Sequence, residues 1–197
     1  MKNKFFNIND LKAQAQQKPI EVNRDAKLAL KFLDEHYAKI DSIKQLVGKT
    51  PASGECFFLF TEKSFNTFTF IPYLIKEHGT LHQVTCSTYS INKRILLSLI
   101  RLIDQGLIES ITIIVADSIK HQRPEVADQL TAYAQANPSK MQVTFVWNHS
   151  KILLVQAGEQ HYCIEGSGNW SENSRHEQYL FANNEGLYQF RKRNLHL

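Results

Sequence analysis

Apolar positions along most of this chain fall into two textures: short β-forming runs, and longer segments with helical period. Cys56–Phe60 is an apolar run of strand length. From Phe65 to Glu77, the spacing of Phe65, Phe68, Ile71, Tyr73, Leu74 and Ile75 predicts a helix in spite of Pro72. Gly79 then turns the chain into a strand over Leu81–Ser87. Asn92 to Gln105 reads as a strongly patterned helix stopped by Gly106. Ile111–Ala116 is a β-branched, buried strand. Pro124 opens a helix to about Ala136, ended by Asn137-Pro138, and Met141–Trp147 is again strand. Three strand–helix alternations predict a parallel sheet covered by helices, joined by right-handed crossovers. The texture then shifts. Ile152–Val155 and His161–Glu165 flank Ala157-Gly158-Glu159-Gln160 and read as a hairpin, Glu177–Ala182 as one more strand, and the tail from Asn184 as helical. The expected fold class is α/β: a mixed, largely parallel sheet flanked by helices, with an antiparallel C-terminal section.

The first fifty residues carry a different pattern. Asn9-Asp10 can cap a short helix to about Gln17, interrupted by Pro19. Leu28, Leu30, Phe32, Leu33, Ile40, Ile43 and Leu46 predict a longer helix from Asn23 to about Val47, closed by Gly48. The loop Lys49 to Gly54 is then a boundary between an N-terminal helical extension, residues 1–50, and a main body, residues 51–197.

Composition narrows the classes. At 197 residues the chain suits one well-cored domain, and 43% hydrophobic with 21% charged residues excludes disorder and fibrous repeats. No apolar run approaches the ~20 residues of a membrane span. MKNKFFNINDLK lacks the apolar centre of a secretory signal, so a cytoplasmic location without stable membrane association is expected. Three scattered cysteines, Cys56, Cys86 and Cys163, read as reduced, buried thiols. The net charge of +4 arises from ten basic and six acidic residues among the first fifty, whereas residues 51–197 hold thirteen of each. The body is therefore no broad basic platform. Its tail, Arg191-Lys192-Arg193, reads as a solvated helix face, with a phosphate footprint as the alternative.

Chemistry concentrates in Asn148-His149-Ser150-Lys151, Gly166-Ser167-Gly168-Asn169-Trp170 and Glu177. His149 and Lys151 stand at i, i+2 beside a strand start, so an imidazole and an ammonium converge. The hairpin returns the chain beside its own start and brings Ser167 and Asn169, again i, i+2, next to that pair. Gly166 and Gly168 leave the backbone open to close approach by a ligand. A cation with several neutral donors suits a phosphate, and an imidazole can attack phosphorus and hold it as phosphohistidine. Lys and Asn can supply the neutralising charge and dipoles, so no metal or other cofactor is expected. The remaining histidines lack ligand spacing for zinc.

His149-x-Lys151 followed by Gly166-Ser167-x-Asn169 resembles the HxK…GSxN motif of the phospholipase D superfamily, in its short, bacterial endonuclease-like branch. The resemblance covers residues from Gly54 to about Leu187 and implies that family's fold. It further implies His149 as nucleophile, Lys151 and Asn169 as phosphate ligands, Ser167 as a hydrogen-bond partner and Glu177 as the acid orienting the histidine, with Glu172 a competing acid. Trp170, directly after Asn169, either packs under the loop or walls a base or sugar. The family's phosphodiesterases use two motifs, and this chain has one HxK, so the resemblance implies a two-fold homodimer with both copies of His149 at the interface. The chain departs from the family at Gln156, five positions after Lys151, where the family carries an acid; Gly158-Glu159-Gln160 also lengthens the hairpin tip.

The resulting expectation is a metal-independent endonuclease acting on DNA or RNA as a homodimer. A catalytically silent nucleic-acid-binding module, marked by Gln156, is the alternative from another class. A phospholipase comes third.

Overall fold

The computed structural model describes residues 34–40, 45, 50–61, 66–171 and 176–195, with 34–40 as backbone. The described residues include eight strands: β1 (Asp34–Ile40), β2 (Glu55–Thr61), β3 (Leu81–Thr88), β4 (Ile108–Ala116), β5 (Met141–Val146), β6 (Ile152–Ala157), β7 (Gln160–Gly166) and β8 (Glu177–Asn183). They form one mixed sheet in the order β1-β2-β8-β7-β6-β3-β4-β5. The helices are α1 (Phe70–His78), continuing a 3-10 turn at Thr67–Thr69, then α2 (Lys93–Asp104), the single turn α3 (Ile119–Gln122), α4 (Pro124–Ala136) and α5 (Glu185–Asn194). Among the described residues, no helix is long and apolar enough to cross a membrane.

The local signals act as their chemistry requires. Asn92 caps α2 by accepting from the Ile95 N–H at 2.9 Å, and Asn184 caps α5 by accepting from Leu187 at 2.9 Å. Pro124 opens α4 at its first turn, where a missing N–H removes no helical bond. Pro72 is tolerated for the same reason, being the third residue of α1. Gly158 takes a positive φ of 57° in the two-residue turn joining β6 to β7.

Alternation along the strands sorts the core onto two faces. Leu153 and Val155 of β6, Tyr162 and Ile164 of β7, and Tyr179 and Phe181 of β8 share the larger core with the apolar sides of α1, α2 and α4. Ile152 and Leu154, Cys163 and Ala182 face the other way, under Leu187 and Tyr188 of α5. The three cysteines are free and buried.

Three pairings are parallel (β1·β2, β3·β4, β4·β5) and four antiparallel (β2·β8, β8·β7, β7·β6, β6·β3). The sheet is thus mixed as expected, with a larger antiparallel share than strand–helix alternation implies, because the hairpin and β8 insert between β2 and β3. One element needs correction. Asp34–Ile40, placed by its pattern inside a long helix, is a strand running parallel to β2 in register from Asp34–Glu55 to Ile40–Thr61. The free edge of β2 offers hydrogen bonds that a local periodicity cannot register. The remainder of the expected N-terminal helical arm lies outside the described residues.

Candidate functional site

The strand directions bring several chain ends to one rim. β3, β4, β7 and β2 end there, and β6 and β8 begin there, so that His149 and Lys151 before β6, Ser167 after β7 and Glu177 at the start of β8 gather near mid-sheet. A cavity of about 550 Å³ at this rim is lined by His149, Ser150, Lys151, Gly166, Ser167 and Arg191, among others.

His149 is exposed and Lys151 half-buried. The Lys151 Nζ lies 3.1 Å from His149 Nδ1 and donates to the His149 carbonyl at 2.6 Å, so the convergence expected from their i, i+2 spacing is present. An ammonium only donates, which gives Nδ1 the acceptor role and leaves the proton of the neutral ring on Nε2. Burial pulls Lys151 below the usual lysine range, while the Glu177 carboxylate and the Tyr89 oxygen pull it back up.

A network under the turn fixes the imidazole's backbone. Asn148 Oδ1 accepts from the Ser150 N–H at 2.9 Å and from Ser150 Oγ at 2.7 Å, a side-chain-closed turn around His149. Asn148 Nδ2 donates to Ser87 Oγ at 3.0 Å and to the Thr88 carbonyl at 3.3 Å, and Ser87 and Ser150 pair through their hydroxyls. The turn is thereby tied to the end of β3. Just past β3, the Tyr89 ring packs on the His149 ring, with centroids 4.9 Å apart. The Gln122 amide, donating at 3.4 Å, holds the Tyr89 hydroxyl below the ordinary tyrosine range.

Glu177 is buried and accepts the hydrogen bond of Ser167 Oγ. Its N–H donates to Thr61 Oγ1 at 3.1 Å and its carbonyl accepts from the same hydroxyl at 3.3 Å, which pins the start of β8 to the end of β2. This carboxylate orients the serine and acts on Lys151 through its field; the orienting role on His149 rests on the resemblance. Glu172, the competing acid, lies outside the described residues.

Other expected site residues fall differently. Asn169 is half-buried and does not line the cavity; its Oδ1 is buried with no hydrogen-bond partner among the described residues. Trp170 is 1% exposed and packs edge-on against Phe68, so it is core beneath the loop and no wall for a base. Gly168 does not open the backbone to a ligand: it is buried, and a β-carbon there would overlap the Tyr179 hydroxyl. Gly166 lines the cavity, but the space beside its α-carbon is likewise filled, by the Tyr179 ring and the Gln178 carbonyl.

Gln156 stands five residues along β6 from Lys151, ~16 Å away at ~3.3 Å per residue, opposite Gln83 and His161. It belongs to the far end of the sheet. The basic tail is not wholly a solvated helix face. Arg191 of α5 donates from two nitrogens to the two Glu165 oxygens, each at 2.6 Å, on the cavity wall, and Lys192 donates to Gln83 at 2.7 Å.

Sequence reasoning passed over Ser87, Tyr89 and Trp147 beside the site, and gave Arg191 only within the basic run read as a solvated helix face or a phosphate footprint. Trp147 and Arg191 carried local signals, an aromatic at the polar end of a strand two residues before His149 and a run of three basic residues. Among the described residues, no group of three or more His, Cys, Asp or Glu is placed to hold a metal ion.

No family model matches the chain, and no curated protein matches it. Among solved structures, the chain is similar to phosphatidylserine synthase from Haemophilus influenzae Rd KW20, with 13% identity and a TM-score of 0.48 over 72% of this chain. The match spans 37% of that protein's chain. At this level the similarity assigns neither family nor activity.

Proposed function

We propose that this chain is a phosphodiesterase of the phospholipase D type that cleaves nucleic acid, DNA or RNA, working as a homodimer with His149 as nucleophile. The observation that carries the proposal is the juxtaposition of His149 and Lys151, 3.1 Å apart on the same cavity wall as Ser167. A phosphoryl group entering the cavity competes for the Lys151 ammonium, drawing it from Nδ1 to the phosphate oxygens. The ring nitrogens are then free to exchange roles.

In the proposed reaction the His149 Nε2 lone pair attacks phosphorus, an N–P bond forms, and the P–O bond to the leaving oxygen breaks. His149 of the second copy donates its proton to that oxygen. Water then attacks the phosphohistidine and loses a proton to the second imidazole, and the N–P bond breaks. Lys151 balances charge on the equatorial oxygens, and Glu177 holds the Ser167 hydroxyl at the cavity edge. The two imidazoles start in opposite protonation states, one as base and one as acid, so activity is bell-shaped in pH. A second cavity, of about 610 Å³, shares Glu165 and Gly166 with the first and carries Phe58, Phe60 and Leu180 on the open sheet face. This apolar surface supports the two-copy arrangement by lying beside the phosphate cavity.

The test is cleavage of single- and double-stranded DNA and of RNA in EDTA, with light scattering for mass. Cleavage that persists in EDTA, vanishes in His149→Ala and leaves an acid-labile phosphoprotein supports the proposal. Cleavage that needs added divalent metal or survives in His149→Ala overturns it, and a monomer in solution overturns the two-copy mechanism. Binding without cleavage selects the silent module. Turnover of phosphatidylcholine in place of nucleic acid selects the phospholipase.

A further inference from the structure

β5 ends at Val146, and the next side chain, Trp147, is 95% exposed. The chain's other tryptophan, Trp170, is 1% exposed. An indole left almost wholly in water is uncommon, since tryptophan is among the most buried residues on average. Trp147 lies two residues before His149, at most ~7 Å away between α-carbons. It therefore stands beside the turn that presents His149 to the proposed phosphate cavity.

Its surroundings select the occupant. A protein partner anchored on tryptophan needs further apolar groups around it to exclude water, and insertion into a membrane needs several at one level. Of the other large exposed hydrophobics among the described residues, Val146, 39% exposed, is next to Trp147 in the chain, and Leu97 lies on α2. Phe58 sits on β2, six strand spacings away, roughly 29 Å. After Trp147 come the polar residues Asn148 and His149. The neighbouring strand ends add rings and cations: Tyr89 packed on His149, Lys151 5.9 Å from the Tyr89 ring, and Lys120 4.5 Å from the Phe145 ring. Isolated aromatic faces interleaved with cations are what an unpaired nucleic-acid strand takes, because every base offers a π-face and every link a phosphate.

We propose that Trp147 stacks on the base of the nucleotide next to the phosphodiester held at His149 and Lys151, making single-stranded nucleic acid the preferred substrate. Paired duplex bases, already stacked on one another, do not offer that face. This proposal rests on the phosphodiesterase reading of the same cavity and specifies its substrate.

The test uses the full chain carrying His149→Ala, so that strands stay intact, titrated with a fluorescein-labelled oligothymidylate and with an abasic strand of equal length. Trp147→Ala should weaken binding of the base-bearing strand by at least about fivefold, and Trp147→Phe should retain most of it. The abasic strand should bind the parent no better than oligothymidylate binds Trp147→Ala. Unlabelled oligothymidylate should quench tryptophan emission in the parent but not in Trp147→Phe, where only buried Trp170 emits. Equal affinities for both strands, unchanged in Trp147→Ala, overturn the proposal. So does Trp147-dependent binding to anionic phosphatidylglycerol vesicles, or a Trp147-dependent change in oligomeric mass, when strand affinity is unmoved. The cleavage assay on the wild-type chain is separate. Cleavage without a Trp147 effect sinks this inference alone, and stacking without any cleavage sinks the phosphodiesterase reading alone.

Discussion

A β-carbon on Gly168 would overlap the hydroxyl of Tyr179, so the Gly-Ser-Gly-Asn segment is shaped by the ring beneath it. Tyr179 is 2% exposed and belongs to the larger core, and burial first, with the Glu177 carboxylate second, pushes its hydroxyl far up, so it stays neutral. Gly168→Ala must displace either the loop or that ring. We expect a loss of about 1–3 kcal/mol in urea unfolding, the usual range for overpacking. In a Tyr179→Phe background the same substitution should cost less, since the nearest atom is gone. Equal cost in both backgrounds would show that the hydroxyl is not what excludes the side chain.

Gln156 provides a second prediction. Its distance along β6 separates it from the imidazole, so restoring an acid there changes neither the cavity's charge nor its shape. Gln156→Glu should leave kcat and the pH profile of diester cleavage within about twofold of wild type, as for surface changes remote from a site. A gain of tenfold or more would show that the acid position acts on the chemistry, and that glutamine had weakened it.

These two cases show how far the sequence reached. Strand–helix alternation gave the parallel β3–β4–β5 half, and the turn at Gly158 with the run at Glu177 gave the antiparallel half, because local pattern and tertiary role agree there. The i, i+2 spacing of His149 and Lys151 was enough to place both on one rim. Asp34–Ile40 was missed since its strand state depends on the edge of β2, a partner outside the segment. Gly168 and Trp170 were legible as a loop but not as packing: their roles are set by Tyr179 and Phe68, which approach from other elements. Arg191 was legible as a charge in the tail but its pairing was not, its carboxylate partner lying on β7.

Asn148 yields a third prediction. Its amide closes the turn around His149 and joins that turn to Ser87 and Thr88. Asn148→Ala removes those bonds and leaves Ser87, which is 1% exposed, with one partner fewer. A stability loss of about 1–3 kcal/mol is expected. Because the imidazole's placement loosens, kcat for diester cleavage should fall on the order of tenfold or more, with KM moving less. A variant that loses stability but keeps kcat would confine the network to a folding role.

The last prediction concerns pH. In the proposed reaction the charged form of Lys151 holds the phosphate, so affinity should fall as pH rises through the pKa of that ammonium. Burial places this pKa below the ordinary lysine value of 10.5, with Glu177 offsetting part of the displacement. The alkaline limb of oligonucleotide affinity, measured with His149→Ala to prevent turnover, should thus begin below the limb of an exposed lysine. Glu177→Gln removes an anion that favours the charged form, and the limb should move to still lower pH. Lys151→Arg substitutes a group that stays protonated across the accessible range, and the limb should vanish or shift upward even where the changed geometry weakens binding at neutral pH. Bound phosphate is itself anionic and raises the Lys151 pKa, so the limb should sit higher for the complex than for the free protein, and the difference should equal the pH dependence of the binding constant. If the limb is the same in all three proteins, Lys151 is not the cation that meets the substrate, and Arg191 is the other cation on the cavity lining.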